Sequence, residues 1–144
     1  SAVHHFDIFS TIASAAGIKP SYENALDGVN LLPYINNEKT NQPHQTLFWR
    51  SGNHQSVLHG KWKYIISKKE NLRWLFDTSV DPVEQNNIIE NHPEEVRLIE
   101  ELLAQFNSKQ KDPLFPSTYE APILIDKFDG QQYEEADEYI YWSN

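Results

Sequence analysis

The hydrophobic positions change their period along the chain, and each period predicts a type of element. Between Thr46 and Asp77, apolar and polar residues alternate at every second position, which is typical of strands with one buried face. Turn residues separate four such segments, so the pattern predicts an antiparallel meander of three or four strands. The predicted strands are Thr46–Ser51, Gln55–Leu58, Lys61–Ile66 and Leu72–Asp77. His59-Gly60 is expected to form a two-residue hairpin in which the glycine takes the positive φ.

After residue 92 the period becomes that of a helix. Pro93 fits the first helical turn, and Glu94 and Glu95 are favourable at the positive end of a helix dipole. The apolar residues that follow recur at helical spacing and share one stripe: Val96, Ile99, Leu102, Leu103 and Phe106. One stripe predicts a long amphipathic helix that lies across the sheet.

The first segment has a third pattern, because apolar residues cover most sides of the helix predicted from His4 to Ala16. Gly17 is expected to stop this helix. A helix that is apolar nearly all round is usually buried on most sides. We therefore interpret this helix as part of a larger α/β domain outside this chain. Asn30 is expected to cap a short helical segment, Leu31 to Ile35.

Together these elements predict an α+β fold, in which a small antiparallel sheet packs against a long C-terminal amphipathic helix. Residues 1–36 are interpreted as the end of the larger domain, and residues 37–110 as a subdomain of sheet and helix. Residues 111–144 form a C-terminal extension with a strand predicted at Ile123–Ile125. Its aromatic end predicts that it packs on the rest of the chain, because burial of the rings can offset the entropy of ordering.

The charge of the chain narrows the choice of partners. The formal net charge is −9, from 21 acidic and 12 basic residues, which disfavours nucleic acid and anionic membrane surfaces. The negative electrostatic field of such a chain also repels a sulfated ligand. A site for an anion therefore needs a local cluster of Arg, Lys or His. The chain has no cysteine, which excludes disulfides and thiolate catalysis.

No residue pattern predicts a catalytic or a metal centre. His4 and His5 are neighbours that point about 100° apart on a helix, and the other histidines have no ligand spacing. The loop Asp81–Asn87 is interpreted as structural, because Pro82 fixes φ and Asp81 can accept backbone hydrogen bonds.

Cationic and planar side chains lie near the ends of the predicted strands, where such groups can contact a sugar or a sulfate. The candidate substrate-binding residues are Trp49, Arg50, His54 and His59.

Several segments match motifs that one enzyme family carries in the same order. His5–Ile12 with Ala16-Gly17-Ile18 matches a His-x-Asp and Pro-Thr helix that ends in Ala-Gly, with Ser10 in place of the proline. Asp27–Pro33 matches an Asp-Gly-x-Ser/Asn-Leu-Leu-Pro element. The later matches are Leu47–Trp49, Ser56–Ile65, Trp74–Asp77 and Asp81–Asn87. Across residues 3–107 the chain therefore resembles the C-terminal region of the type I sulfatases of the alkaline-phosphatase superfamily, although it has Leu58-His59 where the family often has an arginine.

This resemblance implies a two-domain enzyme, periplasmic or secreted, that hydrolyses aryl or carbohydrate sulfate esters. The nucleophile, a formylglycine made from Cys or Ser, and a calcium ion are expected in the N-terminal catalytic domain of the same polypeptide. This chain has no cysteine and no Ser-x-Pro-x-Arg motif. It is therefore expected to hold no cofactor, to be inactive alone, and to form one wall of the cleft that binds a sulfated small molecule or glycan.

Two alternatives remain open. One keeps the superfamily and changes the reaction to phosphodiester or phosphonate hydrolysis. The other is a free-standing carbohydrate-binding module, motivated by the tryptophans Trp49, Trp62, Trp74 and Trp142.

Overall fold

The computed structural model describes residues 1–18, 26–68, 71–112, 120–124, 134, 136–137 and 139–143. The chain divides into two compact units, residues 1–47 and 48–144. The first unit contains helix α1, Asp7–Ala15, and the short helix α2, Leu32–Ile35. The divisions predicted at residues 36 and 110 remain predictions.

The predicted meander is confirmed. Its strands are β1 (Thr46–Ser51), β2 (His54–His59), β3 (Trp62–Ser67) and β4 (Leu72–Asp77), each within one residue of its predicted bounds. They form one sheet in chain order, and β3 pairs antiparallel with both β2 and β4. Tyr64 lies opposite Val57 on one side and Leu75 on the other, which sets the register of the sheet.

The predicted position of the second hairpin turn is wrong by one residue. His59 lies within β2 opposite Trp62, so Gly60 and Lys61 form the turn. Because His59 and Trp62 form a cross-strand pair, the ladder between β2 and β3 is one residue longer than predicted. Gly60 has a φ of 59°, as expected for the glycine of a tight hairpin.

The long helix α3, Pro93–Ser108, begins at the predicted proline and packs across one face of the sheet. The rings of Phe48 and Phe106 stack with centroids 4.4 Å apart. The core between sheet and helix contains Val57, Tyr64, Leu75, Val96, Ile99 and Leu103. The predicted α+β class is therefore confirmed.

The sheet face opposite α3 is also buried. Ile65, Trp74 and Phe76 form a second cluster on it, with at most 5% of any of these residues exposed. A further hairpin, β5 (Glu120–Leu124) with β6 (Tyr139–Ser143), lies beside β2 through β6. The strand predicted at Ile123–Ile125 thus begins three residues earlier, and most of the predicted extension lies outside the described residues.

Helix α1 is shorter than the sequence predicts, and most of its apolar residues are exposed in this chain. It begins at Asp7 instead of His4, because the Asp7 carboxylate accepts the His4 N–H (2.8 Å) and holds the preceding residues in a turn. Only Asp7 and Ala13 are buried, and Ile8, Phe9 and Ile12 are 50–63% exposed. Gly17, with a φ of 70°, follows the helix as predicted. Within the described residues, no helix has the length and apolar character needed to cross a bilayer.

Candidate functional site

A buried carboxylate, that of Asp7, organises the polar contacts of the first unit. Its carboxylate is fully buried and accepts hydrogen bonds from the backbone N–H groups of His4 (2.8 Å) and Val29 (2.9 Å). His44 Nε2 lies 2.8 Å and 2.9 Å from the two carboxylate oxygens. Since an ionised carboxylate can only accept, Nε2 is the donor. We call these contacts the Asp7 network.

Three hydroxyl side chains of α1 extend the same attachment along the helix. Ser10 Oγ donates to the Gly28 carbonyl at 2.9 Å, and Thr11 Oγ1 accepts the Leu31 N–H at 3.0 Å. Ser14 Oγ accepts a hydrogen bond from the Asn30 side chain at 2.7 Å. These hydroxyl groups therefore attach α1 to Gly28, Asn30 and Leu31 of the following segment.

Gly28 allows this segment to approach the start of α1. A Cβ atom at this position would lie 2.2 Å from the carbonyl oxygen of Phe6 and 2.8 Å from its carbonyl carbon. Such distances are too short for any side chain, so a glycine is required by close backbone approach.

The environment of Asp7 favours its ionised form. Burial raises the pKa of Asp7, but hydrogen bonds from His4, Val29 and His44 outweigh burial and hold that pKa below its usual range. Burial, followed by the nearby His5, lowers the pKa of His4. The Asp7 network is thus a buried anion satisfied by donors, with no open position for a reacting group.

The first two candidate substrate-binding residues lie on opposite faces of β1. Trp49 is 37% exposed. Arg50 is exposed, and its Nη2 donates to the backbone carbonyl of Lys111 at 2.6 Å. Because a guanidinium has five N–H donors, this bond leaves Arg50 able to bind a ligand as well.

The two candidate histidines lie at opposite ends of β2. His54 is buried, with 5% of the residue exposed, whereas His59 is half-buried beside the Gly60-Lys61 turn. They are five positions apart on the strand, a distance of about 17 Å, and they point to opposite faces. The structure therefore does not bring the four candidates together around one small ligand, and their contact with substrate stays a prediction.

Polar groups at the His59 end of the sheet bind one another. Lys61 Nζ lies 2.6 Å from Asp77 Oδ2 and 4.5 Å from the centroid of the Trp62 ring. The His92 ring centroid lies 4.7 Å from that of Trp62. Hydrogen bonds from Lys61 and then Ser79 lower the pKa of Asp77. These contacts hold the β2–β3 hairpin in place, and Lys61 and His92 both contact the Trp62 indole ring.

The loop Asp81–Asn87 has the structural role that its sequence predicts. Asp81 Oδ2 accepts the Asn86 N–H at 2.8 Å, and Asn87 Oδ1 accepts the Leu75 N–H at 3.0 Å. Glu84 has a φ of 59° and binds Lys63 Nζ at 2.6 Å.

The chain is similar to solved structures of sulfatases, although not to any family model or curated sequence. No protein-family model matches the chain, and no curated protein matches its sequence. Solved structures do match: BT1596, a 2-O GAG sulfatase, has 24% identity and a TM-score of 0.54, and covers 71% of this chain. BT4656, solved with its substrate D-glucosamine-2-N,6-O-disulfate, has 20% identity, 76% coverage and a TM-score of 0.55. The fold is that of part of a sulfatase.

The likeness extends to a third structure and covers only part of each protein. Ps i-CgsB, solved in complex with k-i-k-neocarrahexaose, has 17% identity, 76% coverage of this chain and a TM-score of 0.62. The chain spans 23–25% of the length of these three structures. The resemblance predicted from the motifs is confirmed at the level of fold.

Within this sulfatase fold, the motifs that carry the resemblance have structural roles. Asp7 and Gly28 join α1 to the following segment, and the loop Asp81–Asn87 fixes the end of β4. Among the described residues, no group of three His, Asp or Glu could hold a metal ion. The calcium ion and the formylglycine implied by the motifs stay predictions for the N-terminal catalytic domain.

Sequence reasoning missed three pairings that depend on distant residues. Asp7 with His44 is the first, and Gln55 with Asn107 is the second. In the third, the buried Tyr64 donates to Glu100 at 2.7 Å, and burial followed by this carboxylate raises the pKa of Tyr64. The only sequence signal for these three pairings was that the residues involved are polar and can form hydrogen bonds.

Proposed function

We propose that the chain is part of a hydrolase of sulfate esters and forms one wall of its substrate cleft, while the rest of the polypeptide carries the nucleophile. The observation that carries this proposal is the fold shared with sulfatases, of whose length the chain spans about a quarter. The formylglycine and calcium ion implied by the motifs are assigned to the N-terminal catalytic domain. This chain alone is then inactive.

The apolar surface of α1 supports a covering domain. Ile8, Phe9 and Ile12 are 58%, 50% and 63% exposed and follow one another at helical spacing. Full burial of such a side chain contributes about 1.5–3 kcal/mol, and because these three are already about half-buried, covering the rest of each would add about half of that to a contact with another domain. We assign this face to contact with the N-terminal catalytic domain.

A carbohydrate sulfate is the substrate class we propose. BT1596 is a 2-O GAG sulfatase, and BT4656 was solved with a sulfated glucosamine as its substrate. A free-standing carbohydrate-binding module is disfavoured, because Trp74 is 5% exposed and Trp62 is contacted by Lys61 and His92.

The proposal is tested by comparing the full-length parent with this chain. We expect the parent to release sulfate from a 6-O-sulfated glucosamine or from 4-nitrophenyl sulfate, and this chain to release none. Bis(4-nitrophenyl) phosphate serves as the second substrate. Faster hydrolysis of the phosphate diester by the parent would replace the sulfatase with a phosphodiesterase, and hydrolysis by this chain alone would contradict the division of roles.

The contact through α1 has its own test. Ile12→Glu places a charge on the exposed apolar face, so we expect little change in this chain and a large loss of thermal stability in the parent. Leu98→Glu is the matched control, because Leu98 is 45% exposed on α3. Equal effects of the two substitutions in the parent would refute the assignment of this face.

A further inference from the structure

Four basic side chains gather at one end of the sheet, although the chain as a whole carries a net charge of −9. Arg50 lies near the end of β1, Lys68 directly follows β3, and two lysines follow the end of α3. All four are exposed. We call Arg50, Lys68, Lys109 and Lys111 the basic end.

Hydrogen bonds bring these residues into one region. Arg50 donates to the carbonyl of Lys111 at 2.6 Å, and the Lys68 N–H donates to the carbonyl of Asn53 in the β1–β2 turn at 2.9 Å. Near the end of α3, Asn107 forms two hydrogen bonds with Gln55 of β2. Two inter-strand spacings, about 10 Å, separate the positions of Arg50 and Lys68.

The basic end differs from the other cations of the same unit in its pairing. The remaining lysine and arginine side chains that the structure describes in this unit are ion-paired: Lys61 with Asp77, Lys63 with Glu84, Arg73 with Glu100, and Arg97 with Glu94 and Glu101. Within the described residues, the four side chains of the basic end have no carboxylate partner. Asp112, which is exposed, lies next to Lys111 and partly offsets its charge.

Helix stability explains only part of this arrangement. Cations near a helix C-terminus are favourable, and this effect accounts for Lys109 and to a smaller extent for Lys111. It does not account for Arg50 and Lys68, which lie at the ends of strands. Cations that have no carboxylate partner among the described residues instead match a ligand with several anionic groups along its length.

We propose that the basic end binds a sulfated polysaccharide chain, and that it holds the polymer while one residue of the polymer is hydrolysed elsewhere in the parent. This inference rests on the proposed function, since that function supplies the sulfated carbohydrate. The basic end provides the local cluster of cations that an anion site requires on an acidic protein. Arg50, one of the predicted substrate-binding residues, would then contact a sulfated ligand without any contribution from His54 or His59.

The test is binding of dextran sulfate to this chain, measured by calorimetry at low salt, with uncharged dextran as the control polymer. We expect binding only to the sulfated polymer and weakening as salt rises, because exposed charges are screened over about 8 Å at 0.15 M ionic strength. Exposed ion pairs each contribute a factor of about 1.4 to 5 in affinity. Lys68→Gln with Lys109→Gln should therefore weaken binding about 2- to 25-fold.

The matched control is Lys39→Gln with Arg97→Gln, which removes the same two charges from exposed positions outside the basic end. It should change the affinity less than the first pair does. Equal weakening by both pairs, absence of binding to dextran sulfate, or tighter binding to single-stranded DNA would each overturn the proposal. If the parent hydrolyses sulfate esters while one of these results is found, the inference fails and the proposed function stands.

Discussion

The imidazole of His44 donates to both carboxylate oxygens of Asp7, at 2.8 Å and 2.9 Å, across 37 positions of sequence. Asp7 is fully buried, and the His44 side chain is 9% exposed. The pair therefore joins a polar loop to helix α1 through a hydrogen bond that water barely reaches. Its energetic weight can be measured.

Asp7→Asn should destabilise the first unit by about 2–4 kcal/mol, because an amide places donors against His44 and a backbone N–H and removes the charge that they stabilise. The measurement is hydrogen exchange at the Val29 amide, which binds Asp7 directly. Asp27→Asn is the control, since Asp27 is exposed in the same segment. Similar exchange in both variants would show that the Asp7 network adds little stability.

The stability of the first unit should fall in acid. The pKa of Asp7 is lower in the folded state, so its stabilisation is present above the unfolded value of about 3.9 and is lost as pH falls through the folded value. The protection factor of the Val29 amide, which compares its exchange rate with the intrinsic rate at the same pH, should fall below about pH 4, and Asp7→Asn should remove this decrease. The lowered pKa of His4 gives a separate decline as pH falls below about 6.5, which His4→Gln should remove. If the protection factor of the Asp7→Asn variant still falls below about pH 4, another titrating group causes the loss of stability.

Gln55 and Asn107 form a reciprocal amide pair, with N···O distances of 2.9 Å and 3.1 Å, that ties α3 to β2. Gln55→Leu should cost about 1–3 kcal/mol, because it leaves the Asn107 amide without either bond. Adding Asn107→Leu should recover part of this loss, since both polar partners are then gone. Urea unfolding followed by tryptophan fluorescence measures the cycle, and Gln105→Leu on the exposed side of α3 is the control. Additive effects of Gln55→Leu and Asn107→Leu would mean that the pair is not coupled.

Gly28→Ala should disrupt the attachment of the Asp27–Leu32 segment to α1, because the added Cβ would lie 2.2 Å from the Phe6 carbonyl oxygen. We expect a loss of more than about 2 kcal/mol in protection of the Val29 amide. Gly17→Ala is the comparison: it meets no atom within 4 Å, but its φ of 70° costs about 1–2 kcal/mol. A smaller effect at Gly28 than at Gly17 would show that the backbone relaxes around the new methyl group.

The sequence predicted best where a pattern is local and repeated. The alternation in β3 and β4, and the apolar stripe that begins at Val96, each repeat over several residues, so the sheet and α3 were found within a few residues. The turn after His59 was misplaced by one position, because the Trp62 pair that keeps His59 in β2 involves a residue on the next strand. The candidate site was predicted less well, since strand-end position alone does not say which side chains share a face.

The sequence by itself determined the α+β class, the order of the elements and the sulfatase-like motifs, because these follow from periodicity and from residues close together in the chain. Only the tertiary structure decided what the polar residues do. Asp7 meets His44, and Arg50 meets Lys111, across long stretches of sequence. Such contacts depend on how the elements pack, and packing energy is shared among many side chains that no single motif records.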